Sequence, residues 1–295
     1  MKPRLFSGCA TALVTPMNQQ GEIDYAAAEN LIEYQIEQGA EALVVEGTTG
    51  EASTLTEKER EELAAFAVKT VNGRVPLIVG TGCNDTARTV CWSLNAQELG
   101  ADGLLVVTPY YNKASQEGLV RHFFAVADQV KIPVIVYHVP SRTGVRMTPE
   151  TVERLATHPQ ITGMKEASGD LSLAAQIAAR CGSNLDLYSG NDDQTLPFLS
   201  LGGQGVISVA GNLIPHVMSR ICSLYREGKQ RESLQLHLKY LEVMNAMFCQ
   251  VNPIPVKAAM AMMGHCGETC RLPLTSLEEE KKTFLKGVLE RAALL

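Results

Sequence analysis

In the stretch GMKEASGD, residues 163–170, a lysine ends an apolar run and a glutamate follows it directly. Lysine is rarely fully buried, so a solvated ammonium at a strand end is the ordinary interpretation. A buried amine is the other. Desolvation lowers the pKa of an ammonium, and the neutral amine then adds to the carbonyl of a keto acid as a Schiff base. Met164 and Lys165 are consecutive on a strand and point to opposite faces; if Lys165 faces inward, Glu166 points away from it and is a structural carboxylate. Such an amine needs a proton shuttle for carbinolamine formation and breakdown, and donors for the acid group. Tyr137, Tyr110 and Tyr111 offer phenols, while Thr48 and Thr49, in the Gly-flanked turn GTTGE (47–51), offer hydroxyls and backbone N–H groups. The YY pair reads equally as rim packing by amphipathic rings, and spacing alone does not choose. Arg142, after Pro140 and Ser141 in a tight loop, is either a bidentate carboxylate clamp or a solvated loop cation.

Positioning these groups is the task of the elements around them. Through the first three quarters of the chain a short β-rich apolar run alternates with a helix-period segment. The runs are CATALVTP (9–16), EALVVEG (41–47), PLIVGTG (76–82), GLLVVTP (103–109), PVIVYHVP (133–140), ITGMKEA (161–167), LDLYSGN (185–191) and GVISVAGN (205–212). Their nearly continuous apolar character predicts strands covered on both faces, as in parallel sheets. Between them, Thr56 with Glu59 makes a capping box before a helix that stops at Gly73. Thr148 with Pro149 opens another, and YAAAENLIEYQIEQG ends on Gly39. Eight strand–helix units in about 225 residues predict an α/β fold of the closed (β/α)8 TIM barrel type over residues 1–228. Residues 229–295 hold no good strand. RESLQLHLKYLEVMNAMF and LEEEKKTFLKGVLERAALL read as amphipathic helices, with the Pro-interrupted NPIPVKAAMAMM between them, so this part is expected to be a C-terminal helical appendage.

In such a barrel the active site gathers at the C-terminal ends of the strands. That filter selects Thr15, GTTGE, TPYYN (108–112), YHVPSRTG (137–144), Lys165 with Glu166, SGND (189–192), and Ser208 with Asn212. Any one of them alone reads as bland; their joint placement at one end makes a candidate site.

Composition sets the outer bounds. With 295 residues, 45% hydrophobic, the chain can bury one large core. A net charge of −6 without a long Lys/Arg block argues against nucleic acid or an anionic membrane surface as partner. Ser7, Gly8, Thr11 and Thr15 interrupt the N-terminal apolar stretch, a poor signal peptide, and no apolar run nears the ~20 residues that cross a bilayer. A cytoplasmic protein acting on small molecules or binding other chains is expected. The eight cysteines have no repeating spacing and read as free buried thiols; HCGETC (265–270) lacks a second ligand pair, which argues against zinc.

Taken together, GTTGE, VTPYYNKASQEG, YHVPSRTG, GMKEASG, SGNDDQTLP, GVISVAGN and NPIPVK make the chain resemble the dihydrodipicolinate synthase family of class I aldolases, within the N-acetylneuraminate lyase superfamily. The resemblance covers essentially the whole chain. GTTGE marks the superfamily, and Arg142 in PSRTG favours the synthase. The resemblance implies that Lys165 forms the Schiff base with pyruvate, that Tyr137 relays protons, and that Thr48 links it to Tyr111, supplied from an adjacent subunit. It implies Arg142 for the carboxylate of L-aspartate 4-semialdehyde, Thr49 for that of pyruvate, and Gly190 and Ile207 as lining near the semialdehyde and the Schiff base. The implied reaction joins the two substrates into 4-hydroxy-tetrahydrodipicolinate, in diaminopimelate and lysine biosynthesis. It needs no metal or organic cofactor, and the implied assembly is a homotetramer, a dimer of dimers.

Two features depart from the family pattern. His138 stands where many members carry Asn. At the positions that hold the effector in lysine-inhibited members stand Glu57, Arg60 and Arg88, and an arginine in place of a carboxylate repels the effector's ammonium. Weak or absent feedback is expected. The competing interpretations are another Schiff-base lyase of the superfamily, such as N-acetylneuraminate lyase or a 2-keto-3-deoxy sugar acid aldolase, and a non-catalytic barrel that binds a keto acid. The lyases would share Lys165 and Tyr137 without needing Arg142.

Overall fold

Each of the eight apolar runs contains one strand: β1 Gly8–Ala12, β2 Ala42–Val45, β3 Leu77–Gly80, β4 Gly103–Val107, β5 Val134–His138, β6 Ile161–Glu166, β7 Asp186–Ser189 and β8 Gly205–Ser208. In the computed structural model, which describes residues 2–295, they pair in parallel in sequence order and β8 closes on β1. The helices between them are α1 Tyr25–Glu37, α2 Glu57–Val71, α3 Thr86–Leu99, α4 Gln116–Ala127, α5 Pro140–Thr143, α6 Pro149–Leu155, α7 Leu171–Cys181, α8 Thr195–Ser200 and α9 Pro215–Arg226. The Thr56–Glu59 capping box forms in both directions at the start of α2. The end of strand 5 differs from expectation. Pro140 has no N–H for a ladder and instead opens the one-turn α5, so Arg142 stands in a helix rather than a tight loop.

Strand alternation sorts the core into two layers. Ala10, Ala12, Ala42, Val44, Ile78, Leu105, Ile135, Tyr137, Tyr188 and Ile207 fill the barrel interior. The outward set, including Leu43, Val45, Val79, Val136 and Met164, meets the helices. Phe6 closes the N-terminal end: its ring stacks on Tyr188 at 4.3 Å, and the Tyr188 hydroxyl donates to the Phe6 carbonyl at 2.8 Å. Gly163 leaves room for this plug, since a Cβ there would sit 3.1 Å from the Tyr188 ring.

From Gln230 onward the regular elements are all helices, α10 Gln230–Ala246, α11 Ile254–Met262 and α12 Glu279–Arg291, with an irregular stretch over 263–278. Helix α10 packs on α9, and α12 packs on both α10 and α11. All eight cysteines are free, but only Cys9, Cys83, Cys181 and Cys222 are buried. Cys91 is exposed because it lies off the buried face of α3, which is formed by Thr89, Ser93 and Ala96. Cys249, Cys266 and Cys270 are half-buried in the C-terminal part.

Candidate active site

The register of β5, β6 and β7 puts Tyr137, Lys165 and Tyr188 side by side on the inner face. Lys165 is 5% exposed, while its neighbour Met164 packs outward into the helix layer. Burial lowers the Lys165 pKa to about 8; the nearby Asp192 carboxylate opposes the shift and the Arg142 guanidinium adds to it. Its Nζ lies 4.4 Å from the centroid of the Tyr137 ring. Burial pushes the Tyr137 phenol up, and the Arg142 charge and the Thr48 hydroxyl beside it pull the other way. An amine with a substantial neutral fraction near neutral pH thus stands against a protonated phenol at the C-terminal mouth of the barrel.

Glu166 and His138 occupy the next position of the same register and face outward, fully buried. Glu166 accepts from His138 Nδ1 at 2.6 Å and from the Ser168 N–H. His138 Nε2 accepts the Met147 N–H at 3.0 Å, which places the ring proton on Nδ1. The pair ties β5 and β6 to the segments that follow them. Neither group faces the inner surface where the Lys165 amine sits.

The GTTGE turn follows β2. Thr49 is buried, and its Oγ1 accepts from Asn252 Nδ2 at 3.0 Å. Glu51, in a left-handed conformation at φ 55°, accepts from Lys257 Nζ at 2.7 Å and from the Arg271 N–H at 2.9 Å. Lys257 and Glu51 are wholly buried, and Nζ also donates to the Thr15 carbonyl at 3.0 Å. The turn that carries both threonines is therefore fastened by the C-terminal helical part. Arg142, largely exposed on α5, is fastened there too, through Nη2 to the Asn252 carbonyl at 3.3 Å.

Gly190 begins the loop after β7; a Cβ there would meet that of Ala167 at 2.5 Å, so only glycine lets the two loops pass. Its N–H donates to the Glu166 carbonyl at 2.7 Å. Ile207 is fully buried on the inner face. A cavity of about 430 Å³ includes Thr48, Tyr137, Leu105, Val107 and Tyr110 in its wall and extends past Glu46, Arg60 and Arg88. Tyr111 is not drawn into its own chain's site. It is 89% exposed at φ 75°, a backbone region that a bulky residue occupies at a cost of about 1–3 kcal/mol.

The family model for the dihydrodipicolinate synthetase family matches residues 5–292. The chain belongs to that family. It is 47% identical over 286 residues to a 4-hydroxy-tetrahydrodipicolinate synthase of Clostridium novyi, covering 97% of this chain and 96% of the relative. It is 46% identical over 291 residues to one of Geobacter metallireducens, covering 99% and 100%. The crystal structure of dihydrodipicolinate synthase from Thermotoga maritima superposes with a TM-score of 0.97 at 42% identity, covering 99% of this chain and 100% of that one.

Some residues of this family site escaped the sequence. Asn252 and Lys257 lie in NPIPVK, about 200 residues from the partners they hold, and no local pattern links them. A signal existed for Lys257: a lysine inside the apolar IPVKAAMAM must be paired if that helix is buried. Glu46 was also missed. It sits buried at φ 56°, facing Arg60 Nη2 at 3.1 Å, and burial raises its pKa to about 7, with Arg60 opposing.

Proposed function

We propose that Lys165 is the nucleophile of the reaction this chain catalyses, the condensation of pyruvate with L-aspartate 4-semialdehyde to 4-hydroxy-tetrahydrodipicolinate in diaminopimelate and lysine biosynthesis. The observation that carries the assignment is the buried Lys165 amine, with its pKa lowered to about 8, against Tyr137 at the barrel mouth. The neutral amine adds to the keto carbon of pyruvate, and Tyr137 passes the protons that turn the carbinolamine into an iminium with loss of water. The iminium is itself the electron sink, so no metal or organic cofactor is needed. Loss of a methyl proton gives the enamine, whose carbon attacks the aldehyde. The substrate's own amine then closes the ring onto the iminium carbon and releases Lys165, so the overall balance is two substrates to one cyclic product and one water.

Thr49 binds the pyruvate carboxylate and Arg142 that of the semialdehyde, with Gly190 and Ile207 lining the space between. Thr48 connects Tyr137 to Tyr111 of a second copy, which the outward projection of Tyr111 supports. A homotetramer accommodates this and a second apolar contact: Leu171 on α7 and Leu234 and Leu238 on α10 are exposed, and both helices pack on α8. Cytoplasmic residence fits eight free thiols, and among the described residues no helix is long and apolar enough to cross a membrane.

The test is borohydride reduction in the presence of pyruvate, followed by peptide mass mapping. Reduced pyruvate on Lys165, with turnover of aspartate semialdehyde and none of sialic acid, is the expected result. Modification of another lysine, or none, overturns the assignment.

A further inference from the structure

The C-terminal part reaches the barrel mouth through Asn252, which touches both halves of the site. Its Nδ2 donates to Thr49 Oγ1 at 3.0 Å, and its carbonyl accepts from Arg142 Nη2 at 3.3 Å. The side chain is buried, and its Oδ1 has no hydrogen-bond partner. Burying an amide oxygen without a donor is costly, so this oxygen stands as a spare acceptor beside the two groups that hold the substrates' carboxylates. The bond to Thr49 fixes the amide plane and hence the place of that oxygen.

The chemistry of the second substrate supplies the missing donor. On the functional assignment above, Arg142 takes the α-carboxylate of the semialdehyde, and the α-ammonium is borne by the adjacent carbon. An acceptor for that ammonium must stand beside the guanidinium. Glu166 is spent on His138 and Ser168. Asp192 accepts the Val209 and Ala210 N–H groups through Oδ2 and leaves Oδ1 without a partner, but its charge acts on the Lys165 amine, where the first substrate is bound. We propose that Asn252 Oδ1 is the acceptor for the ammonium group of the semialdehyde, which makes Asn252 the residue that selects an amino-bearing aldehyde over its deaminated counterpart. The same amide also acts on the first substrate indirectly. With its oxygen already accepting from Asn252, the Thr49 hydroxyl has its proton free to donate to a pyruvate carboxylate.

Glu46 is the competing acceptor, since it lines the cavity with Thr48 and Tyr137 and its Oε1 also lacks a partner. Its carboxylate is already paired with Arg60, however, and it follows the end of β2, whereas Asn252 is in direct contact with Arg142. The two candidates make opposite predictions.

The experiment measures the KM for aspartate semialdehyde and the competitive inhibition constant of 4-oxobutanoate, the same aldehyde acid without the amine, in wild type, Asn252→Ala, Asn252→Asp and Glu46→Gln. In Asn252→Ala the KM should rise at least about tenfold, the worth of one hydrogen bond to a charged group, while the inhibition constant moves much less. Asn252→Asp retains an acceptor and should keep the preference for the amine. It turns the Thr49 hydroxyl toward itself, so the KM for pyruvate should rise instead. Borohydride trapping of pyruvate on Lys165 reports in every variant whether the folded site persists. Equal rises of KM and inhibition constant in Asn252→Ala, or loss of the preference in Glu46→Gln alone, overturn the proposal while leaving the reaction assignment intact. Wild type that neither traps pyruvate nor turns over the semialdehyde overturns both.

Discussion

At pH 7 an amine whose folded pKa is about 8, against about 10.5 when solvated, carries a cost that a structural lysine would not. Between those two values the unfolded chain binds more protons than the folded one, so stability rises with pH across that window. The penalty is fully present below pH 8 and gone above the solvated value. Lys165→Met should therefore stabilise the protein at pH 7 by about 3 kcal/mol while abolishing activity, and the gain should shrink as the pH approaches 10. Chemical denaturation at several pH values checks it; a destabilised variant at pH 7 would refute a penalty at this site. The same titration governs rate. With the neutral amine as nucleophile, kcat/KM for pyruvate should climb about tenfold per pH unit below 8 and level above it. Tyr137→Phe should lower kcat by about a hundredfold or more with the lysine still open to trapping, provided the phenol moves protons rather than packs.

At the scale of elements, the barrel was legible because the strands are buried on both faces and α1, α2, α3, α4, α6 and α7 each open on a side-chain cap. Alternation alone said that Met164 and Lys165 face opposite ways; the packing of Met164 into the helix layer is what makes Lys165 the inward one. Pairings between distant segments were not legible: nothing local to NPIPVK says that Lys257 meets Glu51, because the contact exists only once the C-terminal helices close over the mouth. That contact can be probed directly. Lys257→Met leaves a buried carboxylate unpaired and should cost about 3–5 kcal/mol, whereas the double variant Lys257→Met, Glu51→Gln should recover most of it. A double variant no better than the single would mean that Lys257 acts by filling space. The region near α2 and α3 also sharpens the expectation for lysine feedback. Arg60 is buried against Glu46, its guanidinium 4.0 Å from the centroid of the Trp92 ring, and Arg88 lies 3.7 Å from Glu57, so the Glu46 and Glu57 carboxylates each already face a guanidinium. Charge reversal at these positions is thus balanced rather than net positive, and neither the Glu46 nor the Glu57 carboxylate is free for an effector's ammonium. Steady-state rates should stay flat from micromolar to millimolar lysine, and inhibition in the micromolar range would contradict it.

For the whole molecule, the informative residue is the one that leaves its own site. Tyr111 projects into solvent in a strained backbone conformation, whereas Tyr110 beside it faces the cavity. Strain of that kind persists where the surrounding structure fixes it, and a second copy docked over the barrel mouth would both cover the ring and deliver it to the neighbour's Thr48. Subunit exchange tests this without any structure of the assembly. Lys165→Ala and Tyr111→Phe should each be inactive or severely impaired alone. Mixed, unfolded and refolded in equal amounts, half of the resulting dimers are hybrids. In each hybrid one site combines an intact Lys165 from one chain with an intact Tyr111 from the other. Activity should return to about a quarter of the wild-type level. If Tyr111 served its own chain, every site in the hybrid would carry one defect or the other in full, and mixing would restore nothing beyond the average of the two variants.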